Sequence, residues 1–188
     1  MTSVVAARLV LLYEEQARSA PRALREDIEA VTELYREVVR RGDDALLSGA
    51  ELGKYLNRLH SFEVSKCDFE SVPVEAVEYS YQGVPEEVKA GVLSFELSNN
   101  GKENHELALF RRNDGVEEPL DKLLELPRAQ FDEKMTLVGI ARAAPGNGAF
   151  SVSRVLVGEY AVVCFQPTAT PGGPPHHTKG MFEEFKVA

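Results

Sequence analysis

Cys164, His176, His177 and Met181 fall within one stretch, CFQPTATPGGPPHHTKGM. A further histidine, His105, heads a separate segment, HELALFRR. Two imidazoles, a thiolate and a thioether are the donors of a mononuclear copper electron-transfer site: three strong equatorial ligands and one long, weak axial bond. Thiolate and thioether are soft and favour Cu(I), and imidazole serves both oxidation states. Taken singly, each residue also has a plain structural reading. A lone buried cysteine is usually a small hydrophobe, a methionine before a strand is core, and a histidine at a strand head bonds a loop carbonyl.

The elements around these residues change character along the chain. Up to about residue 62 the apolar spacing is helical. VVAARLVLLYEEQARS repeats at Val5, Leu9, Leu12 and Tyr13. A second helix has Ser19 as cap, Pro21 in its first turn, a stripe of Leu24, Ile28, Val31, Leu34 and Val38, and Gly42 as stop. A third has Ser48 and Glu51 at capping-box spacing and a stripe of Leu52, Tyr55, Leu56 and Leu59. These helices must bury their stripes against each other or against a sheet. After Cys67 the period becomes two. VPVEAVEYSYQGVP alternates with one phase slip, and AGVLSFELSNNG sets Leu93, Phe95 and Leu97 opposite Val92 and Ser94. HELALFRRNDG places His105, Leu107 and Leu109 on one face. A helical insert is expected near 119–135. AFSVSRVLVGEYAVVCFQP reads as two strands joined at Val157-Gly158, and MFEEFKVA is a last strand with Met181, Glu183, Phe185 and Val187 in phase. The fold class is therefore α+β: a helical region over 1–66 packed on a β-sandwich over 67–188.

Composition narrows the function classes. The 188 residues carry 21 Lys and Arg against 30 Asp and Glu, a net charge of −9. Such a surface repels phosphates, which argues against a nucleic-acid partner. No apolar run approaches the ~20 residues that span a bilayer, and the N-terminus, interrupted by Arg8, makes a better helix than signal peptide. Two cysteines rule out a disulfide scaffold. No Ser-His-Asp or phosphate-loop pattern occurs and nothing supplies a second metal site or substrate pocket, so no enzyme is expected. His60 reads as a helix-surface residue.

The strings LSNNGKENHELALF, GEYAVVCF and PHHTKGMFEEFKV resemble the cupredoxin family, whose members include plastocyanin and azurin. The full chain is also similar to a group of exported actinobacterial proteins with a helical N-terminal region before a cupredoxin-like domain. In the family a histidine follows an Asn/Gly turn at a strand head, a cysteine ends the penultimate strand behind a tyrosine, and Gly-Met opens the last strand. His105, Cys164 behind Tyr160, and Gly180-Met181 occupy those places. The resemblance implies a Greek-key sandwich and a single copper ion on His105, Cys164 and His176, with Met181 as axial donor. It also implies a redox or copper-donor protein partner and a location outside the cytoplasm. Asn99 would tie the two ligand loops together, and Phe165 and the loop prolines would shield a metal that meets its partner through one imidazole edge. A metal-free interaction module on the same fold is the alternative.

One departure from the family stands out, the distance from the cysteine to the second histidine. Plastocyanin-like sites place two residues between the cysteine and the second histidine, and azurin-like sites four; here there are eleven. His176 precedes Met181 by five positions, the plastocyanin pattern, and His177 by four, the azurin pattern. His176 is favoured because it follows Pro175, as in the actinobacterial group. In that group a cysteine at position 67 pairs with one in the first helix, which has none here. Cys67 is expected to be free and buried, and a Cys67–Cys164 disulfide, which would consume the thiolate, stays open.

Overall fold

In the computed structural model the chain divides into two units, Met1–Asp68 and Phe69–Ala188. The structure describes residues 7, 10, 11, 13–15, 17, 18, 20–42, 50–66, 69–169 and 172–188. In the first unit, helix α1 spans Arg22–Arg41 and helix α2 spans Ala50–Lys66. Helix α1 begins after Pro21, whose ring pre-sets φ at −52°. It ends at Gly42, which takes φ 67° and donates its N–H to the Val38 carbonyl, a left-handed C-cap that only glycine adopts without steric cost. Val31, Tyr35 and Val38 of α1 pack with Leu52, Leu56 and Leu59 of α2, and Tyr13 stacks on Tyr35 at 5.6 Å. Buried Asp27 is paired with Arg58. Ser19, Ser48 and Cys67 lie outside the described residues, as do Val5, Leu9 and Leu12 of the expected first helix.

Among its described residues the second unit contains nine strands: β1 Glu70–Val77, β2 Ser80–Gln82, β3 Glu87–Val88, β4 Gly91–Asn99, β5 His105–Arg112, β6 Met135–Ala143, β7 Gly148–Val155, β8 Gly158–Val163 and β9 Phe182–Val187. They form two sheets, ordered β2-β1-β4-β7 and β3-β9-β8-β5-β6, with β1–β4 and β3–β9 parallel and the other pairs antiparallel. The inward residues alternate as the pleat requires. Val72, Val74, Leu93, Phe95 and Leu97 of one sheet meet Leu107, Leu109, Val162 and Phe185 of the other. The α+β class with a β-sandwich is what the chain adopts.

Three local differences from the sequence pattern have physical causes. The phase slip after Val77 is a hairpin: Val77 pairs with Ser80 and the chain reverses through Tyr79, at φ 61°. Strand β5 is buried on both faces rather than one. Its Ala108 and Phe110 face a second apolar cluster with Leu120 and Leu123 of α3 (Leu120–Leu124) and Phe131 of α4 (Arg128–Lys134), so the helical insert caps the sheet from outside. Strand β6 has no expected counterpart. Its run TLVGI is interrupted by Gly139, which is needed because a Cβ there would lie 2.2 Å from Ser153 Oγ and 2.4 Å from Ser151 Oγ. Among the described residues no helix is long and apolar enough to cross a membrane.

Candidate metal centre

His105 enters as the first residue of β5, after the turn Asn99–Asn104. Cys164 follows the last residue of β8, and Met181 precedes the first residue of β9. His176 and His177 lie in a single 3-10 turn, His176–Lys179, which closes on Gly180 at φ 97°. These places at strand heads and ends are those the cupredoxin resemblance predicts, and the strands themselves set them.

The long segment between Cys164 and His176 is pinched at its base. The Cys164 N–H donates to the Met181 carbonyl at 3.1 Å, and the His177 N–H to the Cys164 carbonyl at 2.9 Å. The His176 N–H donates to the Gln166 carbonyl at 2.8 Å, and the Thr168 N–H to the Pro174 carbonyl at 3.0 Å. Pro167 and Pro175 pair as an antiparallel bridge. The insert is thus a side hairpin, and its ladder holds Cys164 and His176 together however many residues lie beyond Thr168.

His105, Cys164 and His176 converge. Their ligand atoms all lie within 4.8 Å of one another, and all three residues are buried. The two imidazole Nδ1 atoms stand 3.2 Å apart, and Cys164 Sγ stands 3.4 Å from His176 Nδ1. Two N or S donors sharing one ion at about 2.0–2.3 Å, at trigonal to tetrahedral angles, stand about 3.2–3.8 Å from each other. The two separations that involve His176 fit donors sharing one metal ion. Met181 is fully buried in the same core cluster as Cys164, and its N–H donates to the His176 carbonyl at 3.2 Å. Cys164 is an unbridged thiol, so it remains available as a ligand.

The protons are distributed to suit such an ion. His176 Nε2 lies 2.8 Å from Glu103 Oε2. A carboxylate only accepts, so Nε2 of His176 carries a proton, and in the neutral ring Nδ1 is the lone-pair nitrogen that faces the cluster. Burial, then the neighbouring His176, holds the His105 pKa below its ordinary value, which favours the neutral, ligating imidazole. His105 Nε2 is buried without a hydrogen-bond partner among the described residues. Burial pushes the Cys164 thiol up to about 11, against the pull of the Glu106 N–H, which reaches Sγ at 3.3 Å. The thiol therefore keeps its proton at neutral pH until a positive charge displaces it.

His177 stays out of the cluster. Its ring packs on Phe165 at 4.9 Å, and Phe165 in turn contacts Phe110 and Phe131 of the second apolar cluster. Phe165 therefore faces away from the cluster and does not shield it. Asn99 does not tie the ligand loops together either. Its Nδ2 donates to the Glu103 and Ala143 carbonyls, both at 2.8 Å, and its Oδ1 accepts from the Gly101 N–H at 2.9 Å, which holds the turn before His105 to the end of β6. The tie between the two loops is Glu103, whose Oε2 also accepts the Ala169 N–H at 3.0 Å. No imidazole edge is open, because His105 and His176 are each 0% exposed. The partly exposed side chains on His176 are Glu103 and Tyr79, whose ring meets the imidazole edge-on at 5.1 Å. Sequence spacing carried no sign of Glu103, Tyr79 or Tyr81, the last buried with its hydroxyl on the Glu106 carbonyl.

No family model and no curated protein matches the sequence. Solved structures similar to the chain include the dithionite-reduced auracyanin of Roseiflexus castenholzii, 16% identical, covering 63% of this chain and 96% of that one, TM-score 0.42. Auracyanin A, a blue copper protein of Chloroflexus aurantiacus, is 15% identical and covers 63% of this chain and 99% of its own, TM-score 0.38. The copper-containing nitrite reductase of Thermus scotoductus is 15% identical, with 63% of this chain and 31% of that one covered, TM-score 0.35.

Proposed function

We propose that the Phe69–Ala188 unit binds one copper ion on His105, Cys164 and His176, with Met181 as a weaker fourth donor, and serves electron transfer or copper handling outside the cytoplasm. The observation that carries this reading is the buried triangle of two Nδ1 atoms and one Sγ, with separations of 3.2 and 3.4 Å along two of its sides. Copper, when bound, supplies a one-electron couple between Cu(I) and Cu(II). The chain does the rest. The sandwich core fixes Cys164 and Met181, the 3-10 turn fixes His176, and the Asn99–Asn104 turn fixes His105. This rigidity keeps the donors from rearranging as charge changes. Complete burial of both imidazoles excludes water from the cluster. Exchange of an electron with a partner would pass at the surface formed by Tyr79 and Glu103, the partly exposed side chains on His176.

The test is optical. Cu(II) added to the reduced protein should give an intense thiolate-to-copper charge-transfer band at one equivalent, and Cys164→Ser should lose it while remaining folded. A wild-type protein that stays colourless with its Cys164 thiol still titratable would refute the reading and leave a metal-free interaction module.

A further inference from the structure

We propose that Glu103 is a positioning residue and counter-charge for this centre. Its carboxylate fixes the tautomer of His176, clamps the side hairpin onto the site and, resting on the copper reading above, biases a bound ion toward its oxidised state. The carboxylate sits where three separate segments meet. Oε2 accepts from His176 Nε2 at 2.8 Å and from the Ala169 N–H at 3.0 Å. Oε1 accepts from the Tyr79 hydroxyl at 3.3 Å. The Glu103 backbone is held as well: its carbonyl accepts Asn99 Nδ2 at 2.8 Å, and its N–H reaches Glu78 Oε1 at 3.3 Å. The acid is thus aimed rather than solvated, and its side chain is only 18% exposed.

Tyr79 gives an independent indication. A bulky residue at φ 61° is an outlier that persists only where its surroundings over-determine it. Here the strained turn delivers one side chain that meets His176 edge-on and hydrogen-bonds Glu103, with Lys179 Nζ over its ring at 5.7 Å. The two imidazoles are therefore unequal. His176 is backed by a carboxylate at Nε2, whereas His105 Nε2 has no partner among the described residues. A carboxylate behind a ligating imidazole raises its basicity and fixes its ring. A full negative charge beside a partly screened site stabilises the more positive ion.

Glutamine separates the two roles, because its amide oxygen can accept the His176 and Ala169 bonds without the charge. In metal-free wild type, nitrogen NMR of the His176 ring should report the Nε2–H tautomer. Glu103→Gln should keep it, and Glu103→Ala should give a mixture. In the copper-loaded protein Glu103→Gln should raise the reduction potential by about a tenfold change in the oxidised-to-reduced ratio, 59 mV for one electron. Glu103→Ala should in addition lose copper to a chelator faster. An unchanged potential in Glu103→Gln would overturn the counter-charge role, and an Nδ1–H tautomer in wild type would overturn the positioning role. If wild type takes no copper, the copper reading and the counter-charge fail together, and the tautomer of the metal-free ring still decides the positioning.

Discussion

The Cys164 proton offers the sharpest quantitative test of the centre. Burial raises this thiol from its ordinary 9.0 to about 11, with the Glu106 and Gln166 amides and Tyr81 pulling the other way. A metal takes the thiolate, so loading must expel the proton. At pH 7, about four units below the thiol pKa, the apparent affinity is lowered about 10⁴-fold, or about 5 kcal/mol. It should climb about tenfold per pH unit through the neutral range and level off above pH 11. Competition against a chelator of known protonation at several pH values measures the slope. Mixing metal with lightly buffered protein at pH 8 and reading an indicator counts the proton directly.

The same shift acts with opposite consequence on the metal-free fold. The folded state holds the thiol proton more tightly than the unfolded chain does. The associated stability is fully present below pH 9 and is lost as pH rises through 11, about 3 kcal/mol for the two-unit difference. Cys164→Ser should lack this alkaline loss, which separates it from tyrosine ionisation. A pH-independent affinity, or colour formed without release of a proton, would refute the placement of a buried, protonated thiol at the site.

His176→Ala should abolish tight binding and His177→Ala should not, since only His176 faces the cluster; the same optical titration reads both. Met181→Leu should keep the metal and the fold, at a cost under about 1.5 kcal/mol for a near-isosteric core change, while cyclic voltammetry shows a displaced potential. Gly101→Ala should lower thermal stability by about 1–3 kcal/mol and weaken copper binding together, because its Cβ would lie 2.7 Å from His105 Nε2 and 2.8 Å from Glu78 Oε1.

Much of the arrangement was legible in the sequence because it depends on position along strands. Alternation set Leu93, Phe95 and Leu97 inward, and a donor at a strand head or end inherits a fixed place once the strands pair. The choice of His176 over His177 rested on Pro175 before it, since spacing to Met181 suited either; the 3-10 turn sends the two consecutive side chains to different sides, and His176 is the one beside His105 and Cys164. What the sequence did not disclose depends on tertiary approach. Glu103 reads as one more solvated acid until the side hairpin folds back on it. Phe165 reads as a shield until the helical insert offers it Phe110 and Phe131. Strand β6 was hidden because Gly139 interrupts its apolar run, where a Cβ would meet Ser151 and Ser153.

The eleven-residue separation of Cys164 from His176 leads to the last prediction. Closing eleven residues rather than two costs about 1.4–1.6 kcal/mol more in chain entropy. The ladder of His176 N–H to Gln166 and Thr168 N–H to Pro174 offsets this at about 0.5–1.5 kcal/mol per bond. The donors are therefore positioned by the base of the hairpin, and its tip is dispensable to them. The tip still has one structural task, since the Ala169 amide helps to hold Glu103 against His176. Replacing residues 169–173 by Asn-Gly, a turn suited to an antiparallel pair, should keep Thr168 opposite Pro174 and recover about 0.3 kcal/mol of closure entropy. The shortened protein should still turn coloured with one equivalent of Cu(II). Its His176 edge should be less well covered, so a small inorganic reductant should bleach the colour faster than in the full-length protein. Loss of the colour would mean that the tip, not the ladder, holds the donors together. Retained colour with an unchanged bleaching rate would mean that Glu103 and Tyr79 cover His176 without help from the insert.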